Sequence, residues 1–156
     1  MEAQNPALVV QPGSATGASL SDGAFELLAD GGAVSASRLT LTTGADGAPP
    51  HHHKLSHEVF YVLDGTMLFR LGETLTTVGK GGLVIVPPGL VHVFGAAHGE
   101  VADVFVVLSP GIERFGYVEQ LAAISRGEAE FPSLIPEQDR YDVHFVADLP
   151  DWRSPG

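Results

Sequence analysis

Short apolar segments separated by strong turn signals fill the middle of this 156-residue chain. Between residues 25 and 108, Gly, Pro and Asp-Gly signals interrupt the apolar pattern roughly every 8–12 residues, which is the spacing of short strands. Residues 34–43 alternate cleanly, with Leu39 and Leu41 on one side and Arg38 and Thr40 on the other. That period is typical of a half-buried strand. The pattern predicts an all-β sandwich or barrel.

The predicted strands are the apolar segments between these signals, at residues 25–29, 34–43, 59–63, 66–71, 75–78, 83–86, 90–94 and 101–108. Asp64-Gly65 separates two of them. We expect a tight hairpin there, because Asp-Gly readily forms the turn that joins antiparallel strands.

Beyond Pro110 the pattern changes. Apolar residues recur at every third position from Ile112 to Ile124, which predicts an amphipathic helix ending near Gly127. The predicted domains are an N-terminal arm with room for one edge strand (1–24), a β-barrel (25–110), and a C-terminal helix and tail packed on the barrel (111–156).

The amino-acid composition argues against several classes of binding partner. Acidic residues outnumber basic ones 19 to 8, for a formal net charge of -11, which argues against binding to nucleic acid or to an anionic membrane. The chain has no cysteine, so any metal must be held by nitrogen and oxygen ligands. No basic leader and no apolar run of about 20 residues is present. We therefore expect a cytoplasmic protein that acts on a small molecule.

Four of the seven histidines lie within the sequence PPHHHKLSHEVFYVLDG at residues 49–65. In an extended segment His51 and His53 share one face, because side chains two apart point the same way. Glu58 follows His53 at an odd offset and His57 at an even one. A turn in residues 54–56 can reset this phase, so parity alone leaves Glu58 and His57 both open as the inward residue.

A second polar group lies downstream, where Gly81 and Pro87-Pro88-Gly89 precede His92. His92 falls in an apolar strand, so its buried ring nitrogens need partners. Together the two stretches resemble the two signature motifs of the cupin superfamily. The first runs from His51-His52-His53 through four residues to Glu58 and through six more to Gly65. The second runs from Gly81 to His92.

The resemblance implies a double-stranded β-helix, the jelly-roll barrel of cupins, with a short C-terminal helical segment. It also implies one divalent transition metal ion (Fe, Mn, Ni, Co or Zn) held by His51, His53, Glu58 and His92. The sequence departs from the family pattern at Ala96, where cupins carry asparagine. Gly44 and Gly47 both miss the usual spacing before His51. Neither departure removes a ligand.

In function, the chain resembles small quercetinase-like cupin dioxygenases that act on aromatic or enolisable substrates. Glu58 is then both a ligand and a candidate general base, and His57 a candidate proton carrier, because an ordinary histidine pKa is about 6.5. Predicted pocket walls are the apolar side chains Phe60, Phe94, Phe105 and Met67. The alternatives are a non-redox cyclase or isomerase acting on a polyketide-like or sugar substrate, and a cupin that only binds its ligand.

The resemblance also implies a homodimer. Val59, Tyr61 and Leu63 alternate with the predicted inward residues yet are apolar, so we expect a second copy to cover the outer face of this strand. Residue patterns assign no role to His52. His98, in a turn, and His144, in the tail, are interpreted as ordinary histidines.

Overall fold

The computed structural model describes residues 6–147 and 149–155 of the chain. Residues 1–5 of the predicted N-terminal arm, and residues 148 and 156 of the predicted C-terminal region, lie outside the described residues. Among the helices of the described part, none combines the length and apolar character needed to cross a membrane.

Antiparallel strands of the described residues form one sheet that folds over on itself. In chain order they are β1 (Thr16–Leu20), β2 (Gly23–Ala29), β3 (Ser35–Leu41), β4 (His51–His52), β5 (His57–Leu71), β6 (Thr74–Gly79), β7 (Leu83–Val86), β8 (His92–Ala96), β9 (Ala102–Ser109) and β10 (His144–Phe145). The sheet begins with β1, which lies inside the predicted N-terminal arm and pairs with β2 at the edge.

The longest strand, β5, holds the two halves of the sheet together. Its first part pairs with β7 and β9, and its second part pairs with β6 and β8. The strand order β1-β2-β3-β9-β5-β8-β4-β10 therefore runs through β5. The result is the predicted all-β jelly-roll barrel.

The predicted hairpin at Asp64-Gly65 is wrong, because β5 passes straight through these two residues. A bulge between Val62 and Asp64 shifts the register against β9 by one residue. An inserted residue reverses which side chains face inward. Accordingly, the buried positions of β5 are Glu58, Phe60 and Val62 before the bulge, and Met67 and Phe69 after it.

Gly65 allows this change of sheet without a chain reversal. Its φ of 71° lies in the left-handed region that favours glycine. A Cβ at this position would overlap the carbonyl oxygen of Val101, which also accepts a hydrogen bond from the amide of Thr66. The Asp-Gly pair thus bends one strand from one half of the sheet into the other.

The predicted helix is present as α1 (Phe115–Ser125), although Ile112 lies before its first turn. The Asp30 carboxylate accepts hydrogen bonds from the amides of Arg114 and Phe115 and so caps the start of the helix. Gly127, with φ 76°, ends it. A 3-10 helix at Phe131–Glu137 and a short helix α2 (Gln138–Tyr141) then lead into β10.

Two apolar clusters stabilise the molecule. The larger fills the barrel, where Phe60 packs edge-on against Phe69 and Phe94 with ring centroids 5.1 and 5.0 Å apart. The smaller joins α1 and the C-terminal segment to the β1–β2 edge, with Val118 and Val143 in its centre. The C-terminal segment is therefore packed on the barrel by buried apolar contacts.

The bulge predicts an unequal response to alanine at two glycines. Gly65→Ala should lower the free energy of unfolding by about 2–4 kcal/mol, because left-handed strain adds to a backbone overlap. Gly99→Ala is the control, since Gly99 has φ 75° and open space around it; we expect only about 1–2 kcal/mol there. Urea unfolding measures both, and equal losses would contradict the assigned role of Gly65.

Candidate metal centre

Four polar side chains from separate parts of the chain meet inside the barrel. His51 lies on β4, His53 directly follows that strand, Glu58 is the second residue of β5, and His92 begins β8. All four are buried, and one candidate ligand atom from each lies within 4.8 Å of the others. His51 and His92 face each other as register partners of β4 and β8. The structure thus brings together the four residues that the motif resemblance indicated.

A tight turn decides which residue of the next strand points inward. The amides of Lys54 and Leu55 donate to the two carboxylate oxygens of Asp142, at 2.8 and 3.0 Å. This turn separates β4 from β5 and resets the alternation. Glu58 is therefore buried and His57 exposed. The outward position of His57 does not fit the predicted role of proton carrier at this site.

The three histidines share one hydrogen-bonding arrangement. The Nδ1 atoms of His51, His53 and His92 each lie 2.7–2.9 Å from a backbone carbonyl oxygen, of Pro49, Asp142 and Leu90 respectively. A carbonyl oxygen only accepts hydrogen bonds, so each Nδ1 carries the proton. In the neutral rings each Nε2 then presents a lone pair, the arrangement typical of metal-binding histidines.

Glu58 completes a donor set that needs a cation. Its Oε1 lies 2.7 Å from Nε2 of His92 and 3.3 Å from Nε2 of His53. An ionised carboxylate and an unprotonated imidazole nitrogen both present lone pairs, so the close approach requires positive charge between them. A proton on one ring pairs with only some of these lone pairs, whereas a divalent ion can bind a lone pair from each of the four side chains. These residues therefore fit a transition metal ion, which binds imidazole and carboxylate ligands.

The surroundings favour the protonation states that bind metal. Burial lowers the pKa of His51 well below its ordinary value, and the neighbouring His92 and His53 lower it further. Burial acts to raise the pKa of Glu58, but hydrogen bonds with His53 and His92 outweigh it and hold that pKa well below its usual range. Glu58 is therefore an ionised carboxylate and His51 a neutral imidazole, which are the ligand forms of these residues.

The pKa of His92 is raised, in contrast to that of His51. Burial acts to lower it, but the hydrogen bond with Glu58 and the charge of that carboxylate outweigh burial and raise the pKa. In the metal-free protein a proton between these two groups balances the buried charge. Metal binding must displace this proton.

The group lies at the wall of an apolar cavity. The centre of a water-sized sphere can move through about 70 Å³ of it, and the surrounding empty space, including the solvent at its mouth, is about 640 Å³. His51, His53 and Glu58 contribute polar lining, and the apolar lining comes mainly from β2, β3, β8, β9 and helix α1. A small organic molecule held here would lie directly beside His51, His53 and Glu58.

The predicted pocket walls are only partly correct. Phe94 lines this cavity. Phe60 and Met67 are fully buried in the barrel core and do not line it. The prediction for Phe105 is wrong. Its side chain alternates with the buried Val104 and Val106 and so points to the outer face of β9.

Two polar residues of the cavity wall are not indicated by the sequence. Arg114 and Tyr117 come from the start of helix α1 and line the cavity together with His51, His53 and Glu58. Arg114 precedes the first helical residue, and Tyr117 stands one position before the predicted apolar position of Val118. No local pattern separated either of them from an ordinary helix residue.

The remaining histidines lie away from the group. His52 points to the other side of β4 and stacks on His144, with ring centroids 5.3 Å apart. His144 lies 3.1 Å from the Asp142 carboxylate, so it is held by the same residue that fixes the turn at Lys54. His98 is exposed.

Comparison with known families agrees with this geometry. Residues 37–108 match the family described as the cupin domain. This part of the chain is a cupin domain. The match spans β3 to β9 and so contains all four candidate ligands. No curated protein matches the chain in sequence.

Solved structures share the fold at low sequence identity. An RmlC-like cupin from Shewanella frigidimarina gives a TM-score of 0.60 at 19% identity, covering 68% of this chain and 93% of that one. The polyketide cyclase RemF from Streptomyces resistomycificus gives 0.54 at 22% identity, covering 65% and 78%. KdgF from Halomonas sp. gives 0.52 at 21% identity, covering 58% and 82%. These likenesses establish the fold and leave the reaction open.

Metal binding should stabilise the cupin domain through His92. At metal concentrations about 100-fold above the Kd, Mn²⁺ or Ni²⁺ should raise the Tm by roughly 5–10 °C, because only the folded state holds the four ligands together. His92→Ala should abolish most of this shift. His98→Ala is the matched control and should keep it. Equal shifts in the two variants, measured by thermal unfolding, would contradict the ligand set.

Proposed function

We propose that the chain is a metal-dependent cupin enzyme, and specifically a dioxygenase of a small aromatic or enolisable substrate. One observation carries the proposal: three imidazoles, each fixed at Nδ1 by a backbone carbonyl oxygen, meet one buried carboxylate, and His51, His53 and Glu58 of this group line an apolar cavity. Oxygen chemistry at a metal needs this combination of a nitrogen and oxygen donor set with a site that limits water.

His51, His53, His92 and Glu58 would hold the metal. The four together bring one negative charge, so a divalent ion leaves a net charge of about +1 at the site. When bound, such an ion supplies Lewis acidity toward a substrate oxygen and, for redox-active metals, a site for dioxygen. The donor set suits Fe, Mn, Co, Ni and Zn ions alike.

The chain's own residues supply proton transfer and exclusion of water. Glu58 is ionised and lines the cavity, so it is the group placed to accept an acidic proton from a bound substrate. Leu39, Val106 and Leu108 form apolar walls around it. These walls orient the carbon skeleton of the substrate and leave little room for competing water.

A non-redox cyclase or isomerase is the second candidate. It is favoured by the tyrosine hydroxyl and guanidinium in the cavity wall, because such donors stabilise an enolate oxygen without electron transfer. The fold shared with the polyketide cyclase RemF points in the same direction. A cupin that only binds its ligand would have no use for four buried polar groups, whose desolvation is costly.

Oxygen uptake separates the two candidates. Fe²⁺- or Ni²⁺-loaded protein given flavonols, catechols or 1,3-diketones should consume oxygen in proportion to the substrate lost. Glu58→Gln should lower the rate about 100-fold or more, because the base and a ligand charge are lost together. Glu119→Gln, on the exposed side of α1, is the control and should leave it unchanged. Substrate loss at full rate without oxygen would contradict the dioxygenase and support the cyclase.

We also propose that two copies pair through the outer face of the sheet. Tyr61, Leu83 and Ile85 are 43%, 56% and 56% exposed and lie side by side across β5 and β7. The half-buried Phe105 of β9 extends this apolar patch beside Tyr61. Arg38 and Asp103 at its border neutralise each other at 2.6 Å. A patch without net charge suits a self-complementary contact in a chain of charge -11.

Ile85→Glu should convert the dimer to a monomer, because it buries a carboxylate at the centre of the patch. Ile135→Glu makes the same change at an exposed residue of the 3-10 helix and should leave the dimer intact. Light scattering gives both masses. A wild-type mass of one chain would refute the pairing outright.

A further inference from the structure

Two residues of the cavity wall each carry a buried polar atom that has no hydrogen-bond partner among the described residues. These atoms are Nη1 of Arg114 and the hydroxyl oxygen of Tyr117. Their residues are only 5% and 8% exposed, and both line the cavity together with His53 and Glu58. A buried donor without a partner is costly to the folded state. Such atoms beside a cavity can be satisfied by an ordered water or by a ligand that supplies the missing acceptors.

Arg114 is held so that only one nitrogen remains available. Its Nε donates to the carbonyl oxygen of Tyr141 at 2.8 Å, and its Nη2 donates to the hydroxyl of Ser56 at 3.1 Å. The backbone amide of Arg114 is fixed by Asp30 at the start of α1. The guanidinium is therefore preorganised, and binding through Nη1 requires no ordering of a flexible side chain.

The positive charge of Arg114 is only partly balanced. The nearest carboxylate, Asp142, lies 3.6 Å from Nη2. Its oxygens already accept hydrogen bonds from the amides of Lys54 and Leu55 and lie 3.1 Å from His144. Burial lowers the pKa of Arg114, and the charges of Asp142 and Glu58 raise it. An anion in the cavity thus meets a cation whose nearest carboxylate is shared with other donors.

Tyr117 adds a neutral donor beside this cation. Burial raises the pKa of its hydroxyl well above the ordinary value, with a further contribution from the charge of Glu58, so the O–H stays protonated. The ring packs near Tyr141 and Phe145, with centroids 6.0 and 6.5 Å apart. Like the guanidinium, this hydroxyl is held in place by its surroundings.

We propose that Arg114 and Tyr117 form a carboxylate subsite, and that the substrate is a small monocarboxylic acid with an apolar or aromatic body. Two donors and one positive charge match the two oxygens and one negative charge of a carboxylate. The apolar lining accepts the body, which then lies against His51, His53 and Glu58. The net charge of -11 repels anions in general, so this local cation must provide the selection.

This inference rests on the proposed function for the role of the cavity as a substrate site, but its test is a binding measurement. The probes are 3-phenylpropanoate and its uncharged amide, which have the same body. The Kd of each is measured by calorimetry or ligand-observed NMR on the full chain, both metal-free and loaded with Ni²⁺. We expect the carboxylate to bind about tenfold or more tightly than the amide in both forms.

Tyr117→Phe is the informative variant, because it removes only a hydroxyl that has no hydrogen-bond partner in the described part of the chain. It should weaken carboxylate binding about tenfold while leaving the Tm unchanged or higher. Arg114→Met, which removes the positive charge and the Nη1 donor, should lose most of the preference for carboxylate over amide. Tyr61→Phe, on the outer sheet face, should leave both affinities unchanged.

Equal affinities of the wild type for acid and amide would overturn the subsite, as would full carboxylate affinity in Tyr117→Phe. Metal-free His92→Ala should keep the preference, which would place the carboxylate on Arg114 and Tyr117. Its loss in that variant would instead place the carboxylate on the histidines and overturn the assignment. If the acid is preferred in metal-free protein but no metal binds, the proposed reaction fails and the subsite stands.

Discussion

The buried side chain of Asp142 connects nearly every part of the candidate site. Its carboxylate accepts from Lys54 and Leu55 and so forms the turn that directs Glu58 inward. Its backbone carbonyl accepts from Nδ1 of His53 and so turns Nε2 of that ring toward the other ligands. Its negative charge lies 3.6 Å from Arg114. A residue 89 positions after His53 therefore sets the ligand geometry and the charge of the cavity.

This arrangement explains why the C-terminal segment belongs to the functional unit. Helix α1 and the segment from the 3-10 helix to β10 pack on the open side of the sheet through their own apolar cluster. That packing fixes Asp142 next to the turn and places Arg114 and Tyr117 at the cavity wall. The barrel supplies the four candidate ligands, and the C-terminal segment supplies the groups that position and complement them. Deleting the segment would remove both contributions together.

The sequence predicted which four side chains meet in the barrel, because residue spacing and the family motif both indicate them. Strand geometry alone places His51 and His53 on one face. The choice of Glu58 rather than His57 as the inward residue depends on the family motif. The turn at Lys54 and Leu55 now supplies the physical reason, but its stabilising partner is far away in sequence. A local pattern has no means of showing such a contact.

The errors have physical causes of the same kind. Asp-Gly predicts a hairpin, since this pair commonly forms a tight turn. The same residues also favour a bulge within a continuous strand. The choice between them depends on β8 and β9, which pair on either side of Gly65. Phe105 lies in the apolar patch on the outer face of the sheet. Apolar character alone does not distinguish such an outer face from a pocket. Arg114 and Tyr117 acquire their role only when α1 packs over the cavity.

The central claim is that His51, His53, Glu58 and His92 form one preorganised metal centre. A crystal structure of Ni²⁺- or Mn²⁺-loaded protein, with anomalous scattering recorded at the metal edge, tests it most directly. We predict one anomalous peak bonded to Nε2 of the three histidines and to the Glu58 carboxylate, with each Nδ1 still bonded to its carbonyl oxygen. A peak at His52 and His144 instead, or ligation through Nδ1, would contradict the account.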